Sequence, residues 1–356
     1  MCIRDSVLVI LTGPLTGYFP GGRVCISGKS PQSCGIVGST VGGEFGVELK
    51  CAGYDGIVIT GVADRPSYLF ITNEYYDIKD ASYAWGMSGR DTLRYFMKTG
   101  LEELKRLRVK HGEARPPAIL YIGPAGEKKS RMAAVMSKWT HAAGYGGYGA
   151  VMGSKNLKAI LVKGFNPLPE VFDIKAVMTL REQILKIHYH MNHYFRRWGT
   201  AYGIYEWAGR ISAAPVKNWQ SEWYDDERMG IIYFERRWVK QYWADFGCPI
   251  ACMKVSKLTT KEGKPLITDG PDYELEAYLG PNLGIFEADD MIKLSAIVDD
   301  LGFCGIQVGN LLGFVTELFE RNILTKDDLG MEIRWGDVDS YEKLLQMIAR
   351  REGIGD

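Results

Sequence analysis

The chain has 356 residues, 46% of them hydrophobic, which is enough for two domains with sizeable cores. Lysine plus arginine equals aspartate plus glutamate at 43 each, and this balance excludes the basic field that non-specific nucleic-acid binding needs. No apolar run approaches the ~20 residues of a membrane span, and seven cysteines, an odd number, do not form a disulfide framework. A reducing cytoplasm is the expected compartment, where thiols either hold metal or pack as small apolar groups.

In chain order, MCIRDS (1–6) abuts the strand-like run VLVIL (7–11) with no turn or cap, and VLVIL is too short for the core of a signal peptide. Further β-rich runs follow: RVCISG (23–28), DGIVITGV (55–62), SYLFITNE (67–74), AILYIG (118–123) and KAILVKG (158–164). Turn residues bound most of them, so this region reads as strands joined by tight loops. FITNEYYDI (70–78) reads as a hairpin about Thr72–Glu74, and one helix is expected near Asp91–Arg106. The two prolines of FNPLPE (165–170) mark a boundary, and 25 of the 42 glycines precede it. Helical periodicity then takes over, as in Met291, Leu294, Ile297, Val298 and Leu301, in Leu311, Val315, Leu318 and Phe319, and in Leu344, Leu345 and Ile348 behind a Ser340 cap. The expected class is α+β, with a β-rich domain over 1–165 and an α-helical one over 166–356. Both ends, MCIRDS and REGIGD (351–356), lack closing elements, so a fragment is expected.

The loop AAGYGGYGAVMGSKNLKAI (142–160) contains Gly144-x-Gly146-x-x-Gly149. A dinucleotide fold would need a strand directly before it and an acidic residue about 20 positions on, but SRMAAVMSKWTH (130–141) does not read as a clean strand and no acidic residue occurs between Gly149 and Lys163. A phosphate-binding P-loop is excluded because no Gly-Lys-Ser/Thr follows at the required spacing. Two readings stay open: a turn that only packs, or backbone brought close to a phosphate-bearing ligand, with Lys155 and Lys158 adding charge. GSTVGGEFG (38–46) would suit the other side of such a ligand. Cys248 and Cys252 either pack on one helix face or are half of a metal site. His188, His190 and His193 of HYHMNH (188–193) have a spacing that points them apart on a helix, while His141 either meets phosphate or packs. Asp269 and Asp272 of DGPDYELE (269–276) read as a solvated face. The aromatics of YEW (205–207) and YFERRWVKQYW (233–243) read as helix-packing residues or as the lining of a channel.

Several blocks together resemble the tungsten-pterin aldehyde ferredoxin oxidoreductases. They are GPLTG (13–17), GGRV (21–24) with KSPQS (29–33), GGEFGVELKCAGYDGIVITG (42–61), IGPAGE (122–127), the 142–160 loop, VKNW (216–219), CPIAC (248–252), DGPDYELEAYLGPNLGI (269–285), DDLGFC (299–304) and RREGIGD (350–356). The resemblance spans nearly the whole chain and implies a β-rich base under a bis-pterin cofactor of tungsten or molybdenum, with magnesium bridging the pterin phosphates. It also implies a [4Fe-4S] cluster, oxidation of a small aldehyde to a carboxylic acid, and electron transfer to ferredoxin or another carrier. A homodimer is compatible with it, and neither nucleic acid nor membrane is an expected partner. The resemblance places Arg23 and Gly42 at cofactor contacts, Ala142 and Gly144 in the second pterin loop, and Asp299, Phe303 and Cys304 on the D-x-x-G-L-D motif that grips a pterin. Asp245, Cys248 and Cys252 fall on the cluster positions, and Glu274 on a catalytic glutamate in an enclosed pocket beside the metal.

The departures bear on these roles. The family often has asparagine at Thr40 and arginine at His141 and Tyr145. Aspartate stands at the first cluster position, and the fourth ligand and the catalytic partner histidine belong to a third domain absent from this sequence. Cys304, in place of aspartate, reads as an inert buried thiol, a weak pterin contact or a metal ligand. Reduction of an aromatic acyl thioester, or a non-catalytic scaffold, stands as the alternative function.

Overall fold

Along β1 (Leu8–Leu11), Leu8 and Ile10 are fully buried while Val9 and Leu11 are more exposed, the period of a half-buried strand. It pairs antiparallel with β2 (Val24–Lys29), which pairs in turn with β3 (Ile36–Val41). After α1 (Phe45–Cys51), β4 (Gly56–Ile59) closes a four-stranded sheet of order β3-β2-β1-β4. The computed structural model describes residues 6–73, 75–107, 115–191, 193–237, 239–259, 263, 265–270 and 272–356.

The second sheet is built from β5 (Ser67–Thr72), β6 (Tyr75–Asp80), α2 (Gly89–Arg106), β7 (Ala118–Tyr121), α3 (Pro124–Glu127), β8 (Val135–Ser137), β9 (His141–Ala143), α4 (Tyr148–Ser154) and β10 (Leu157–Lys163). Its strand order is β6-β5-β10-β7-β8-β9, with β10 and β5 parallel and the other pairs antiparallel. β10 is covered on both faces. Ile160 and Val162 pack with Leu8, Ile26, Phe45 and Leu49, while Ala159 and Leu161 pack with Phe70, Leu93 and Phe96. The strand therefore reads as a continuous apolar run interrupted by Lys158. The hairpin expected at FITNEYYDI is present as β5–β6, although Glu74 lies outside the described residues, as do 1–5, Asn192 and Pro271.

These elements belong to one compact unit, Met1–Tyr189 with Asp245–Pro249 and Asp300–Phe303, and a second unit comprises His190–Ala244, Ile250–Asp299 and Cys304–Asp356. The long helix α5 (Ile174–Met191) ends where the second unit begins, and α6 (His193–Trp198) and a π-helical turn, Ile204–Gly209, follow it. The second unit continues with α7 (Ile231–Arg237), a three-stranded sheet of order β11-β12-β13 made by β11 (Val239–Trp243), β12 (Met253–Thr259) and β13 (Pro265–Asp269), and then α8 (Tyr273–Leu279). Helices α9 (Ala288–Leu301), α10 (Gly305–Glu320), α11 (Lys326–Leu329) and α12 (Val338–Arg350) complete it. The architecture is α+β.

Three local expectations need correction. Val239–Trp243 is a strand, because the β-branched and aromatic residues there pair with β12 rather than continue α7. The cap of α12 is Asp337, whose carboxylate accepts from the Ser340 N–H at 3.2 Å. The buried stripe of α10 runs through Val308, Leu312 and Thr316, one step from the expected residues.

Lys158 and Glu127 form an ion pair with side chains 0% and 4% exposed, and Glu127 also accepts the Gly86 N–H at 3.0 and 2.8 Å. Burial pushes the Lys158 ammonium down while Glu127 holds it up. Removing one partner leaves a stranded charge, which costs ~3–5 kcal/mol. Lys158→Met alone is therefore expected to lower the urea midpoint of the full-length protein more than Lys158→Met combined with Glu127→Gln, which keeps an acceptor for Gly86.

Candidate functional site

Arg23 directly precedes β2, and the β2–β3 pairing sets Cys25 opposite Thr40. The exposed Arg23 guanidinium reaches back to this residue. Its Nε donates to Thr40 Oγ1 at 3.2 Å, and its Nη2 donates to Thr40 Oγ1 at 2.8 Å and to the Thr40 carbonyl at 3.1 Å. β3 ends in the buried pair Gly42–Gly43, and Gly43 has φ +111°, a value that side chains disfavour. A Cβ on Gly42 would lie 2.3 Å from Asp245 Oδ2 and 3.7 Å from His141 Nδ1. A glycine is required there by close approach, not by φ.

The second loop leaves β9 through Gly144, whose carbonyl accepts the Ser39 hydroxyl of β3. Tyr145, Gly146 and Gly147 then take successive left-handed conformations, with φ of 59°, 71° and 69°. The buried Tyr148 anchors the far side by donating to the Gly28 carbonyl at 2.9 Å. Within this one unit the structure thus brings together Arg23, Gly42, Ala142 and Gly144, joined by His141 and Lys138. Lys138 pairs with Glu44 at 2.8 Å and with Asp245 at 3.7 Å. Sequence reasoning missed Lys138, which lies in no motif that spacing could flag.

Lys155 and Lys158 do not serve this loop. Both are buried, Lys155 Nζ donates to the Gly61 carbonyl at 3.1 Å, and Lys158 belongs to the Glu127 pair. His188, His190 and His193 are exposed on α5 and α6. Among the described residues no group of three or more His, Cys, Asp or Glu is placed to hold a metal ion.

The cysteine segment is not helical, so the reading of Cys248 and Cys252 as neighbours on a helix face fails. Both thiols are half-buried. Asp245 accepts the Gly43 N–H on both carboxylate oxygens, at 2.9 and 3.1 Å. The exposed Arg23 guanidinium, the His141 imidazole and the loop backbone fit an anionic, phosphate-bearing cofactor, while Lys138 is already paired with Glu44 and Asp245. Cys248 and Cys252 are two of the four thiolates that an iron–sulfur cluster usually has, and the Asp245 carboxylate beside them already accepts the Gly43 N–H.

In the second unit, Glu274 lies in the first turn of α8 and is exposed in this chain, not enclosed as expected. Asp269, expected to be solvated, is 5% exposed and accepts the Lys254 N–H at 3.0 Å. Burial pushes the Lys254 ammonium down to about 8, with Cys252 and Asp269 opposing the shift. The buried Asp299 carboxylate accepts the Thr268 hydroxyl at 3.1 Å, and Cys304, also buried, directly precedes α10. Phe303, fully buried, belongs to the first unit, where it bridges to Ala133. Sequence reasoning also missed Glu276, Glu206 and Tyr224. Glu276 is fully buried, and neither of its carboxyl oxygens has a hydrogen-bond partner; the same holds for Glu206 Oε2 and the Tyr224 hydroxyl. Burial first, then Glu206, pushes the Glu276 carboxyl well up. No sequence pattern marks these three, because chain folding alone brings them near one another.

Asp272 caps α8 in extended backbone and accepts the Thr200 hydroxyl at 3.2 Å. Burial, then the charges of Asp269 and Glu274, raises its carboxyl from 3.8 to about 7. A carboxyl raised on folding contributes stability that is fully present below its unfolded value and is lost as pH rises through its folded one. The urea midpoint is therefore expected to fall between about pH 4 and pH 7, and Asp272→Asn should flatten that fall, as a series of midpoints across this range will show.

Comparison with known proteins places this geometry. The chain is 51% identical over 353 residues to the aliphatic sulfonate oxidoreductase WOR-like subunit of Pyrococcus furiosus, covering 99% of this chain and 56% of that protein. It is 37% identical over 365 residues to the tungsten-containing aldehyde ferredoxin oxidoreductase of the same organism, with coverage of 99% and 56%. It thus spans about half the length of these relatives. The active site complex BamBC of benzoyl coenzyme A reductase matches it in fold, with a TM-score of 0.77 at 23% identity over 99% of this chain and 53% of that one. Residues 3–164 match the N-terminal domain of aldehyde ferredoxin oxidoreductase and residues 175–356 match its domains 2 and 3, so the chain belongs to the aldehyde ferredoxin oxidoreductase family.

Proposed function

We propose that this chain is the cofactor-holding part of a tungsten (or molybdenum) pterin oxidoreductase acting on small aldehydes, with 1–165 as the pterin-binding domain and 166–356 as the start of the helical part. The observation that carries this reading is the junction of two glycine loops beside Arg23, where Ser39 is tied to Gly144 and Gly42 approaches His141.

When bound, such a cofactor supplies two-electron redox chemistry at a metal, and the protein binds, orients and insulates. Arg23 would be the cation that holds the pterin phosphates, with the loop backbone at Gly42, Ala142 and Gly144 offering close contacts. Magnesium between the phosphates would add to the same charge balance. Asp299, oriented by Thr268, would accept from pterin N–H groups, and Phe303 and Cys304 stand on the same sequence motif. Glu274 offers a carboxylate on the first turn of α8 that can take a proton from a substrate water. Ferredoxin or a similar carrier in a reducing cytoplasm would be the electron acceptor. No described helix is long and apolar enough to cross a membrane. The 51% identity to a sulfonate oxidoreductase subunit favours a second reading, in which the substrate is an aliphatic sulfonate.

The test is metal analysis of the full-length protein from anaerobic cells fed tungstate and molybdate. On the order of one tungsten or molybdenum per chain is expected. Arg23→Ala, a change at an exposed side chain, is expected to lower the retained metal about tenfold through loss of charge-assisted hydrogen bonds. Absence of both metals would leave the non-catalytic scaffold as the better reading.

A further inference from the structure

We propose that Asp245 is a positioning residue: its carboxylate fastens the 245–249 segment, and with it Cys248, onto the Gly42–Gly43 turn, and it is not an iron ligand. The contacts lie within one compact unit. Asp245 Oδ1 accepts the Gly43 N–H at 2.9 Å and the Phe246 N–H at 2.9 Å, with Lys138 Nζ at 3.7 Å. Oδ2 lies 3.1 Å from the same Gly43 nitrogen and 2.3 Å from where a Gly42 Cβ would stand. The main chain of the segment adds a second tie, because the Gly21 N–H donates to the Phe246 carbonyl at 2.7 Å. The Cys248 N–H then closes a turn onto the Asp245 carbonyl at 3.0 Å. A carboxylate so placed satisfies a buried N–H and balances the Lys138 ammonium, and swinging it away from the turn would break both contacts.

The same geometry predicts a specific coupling. Gly42 does not sit in the left-handed region, so the nearest obstacle to an alanine there is Asp245 itself. Gly42→Ala should therefore be costly in the native protein and nearly free in an Asp245→Ala background.

The experiment uses the full-length protein and two readouts. The first is hydrogen exchange of the Gly43 amide. It is expected to accelerate at least about tenfold in Asp245→Ala and by less in Asp245→Asn, which keeps one acceptor oxygen. The second is the cycle between Gly42→Ala and Asp245→Ala, read as thermal midpoints. The proposal requires both the faster Gly43 exchange with partial rescue by asparagine and the loss of the Gly42→Ala penalty in the double variant. Gly43 exchange at the wild-type rate in Asp245→Ala, or an equal Gly42→Ala penalty in both backgrounds, overturns it. Iron counted in the Asp245→Asn sample adds a third criterion: loss of iron with Gly43 exchange unchanged identifies a ligand and overturns the proposal. The exchange and cycle readouts need no tungsten or pterin, so they decide this point even if the protein holds neither.

Discussion

The β-rich unit depends on backbone approaching a carboxylate more closely than any side chain would allow. At Gly42–Gly43 the chain comes within hydrogen-bonding reach of Asp245, a residue 202 positions away in sequence. At Gly144 a serine hydroxyl from β3 reaches the carbonyl of the second loop. Two loops from different parts of the chain are thereby held in one place without large side chains between them. That leaves their amides, the charged Arg23 and Lys138 and the His141 imidazole to define the chemistry of the surface. Glycine here keeps space open, and a single methyl at Gly42 would fill it.

Charge is handled differently in the two units. In the first, the buried Lys158 ammonium has a carboxylate partner and the buried carboxylate also accepts the Gly86 N–H, so both charges survive burial. In the second, Glu276 has neither, and its neighbours Glu206 and Tyr224 each keep an orphan oxygen. Burial without a partner favours the neutral acid at Glu276, and at Glu206 burial outweighs the Ile231 N–H that its other oxygen accepts. Asp272 adds a third raised carboxyl a few residues away. Lys254 lies near Asp272 and also Asp269, yet burial still lowers it, so desolvation outweighs attraction at that position.

Family membership and the site geometry bear on different questions. The match over 3–164 and 175–356 identifies the kind of protein. The chain spans only about half of its curated relatives, so the groups that would complete a cluster or enclose Glu274 are a matter for the whole protein. The carboxylate at 245 accepts the Gly43 and Phe246 N–H groups and so holds the segment that carries Cys248.

The sequence by itself determined the α+β class, the strands around VLVIL, KAILVKG and the FITNEYYDI hairpin, the α2 helix and the two glycine loops, because each rests on local periodicity or turn chemistry that a few neighbouring residues decide. It also carried the family, through many short blocks in order. It did not carry the strand at Val239–Trp243, where aromatic residues suit either a helix or a sheet until a partner strand is present. Nor did it carry the burial of Lys155 and Lys158, which look like phosphate ligands beside a glycine loop and prove to be tied into the core. Only the tertiary structure decided that Asp245 grips Gly43, that Lys138 joins them, and that Glu206, Tyr224 and Glu276 share a buried region. These are contacts between residues far apart in the chain, and no spacing rule records which distant atoms will meet.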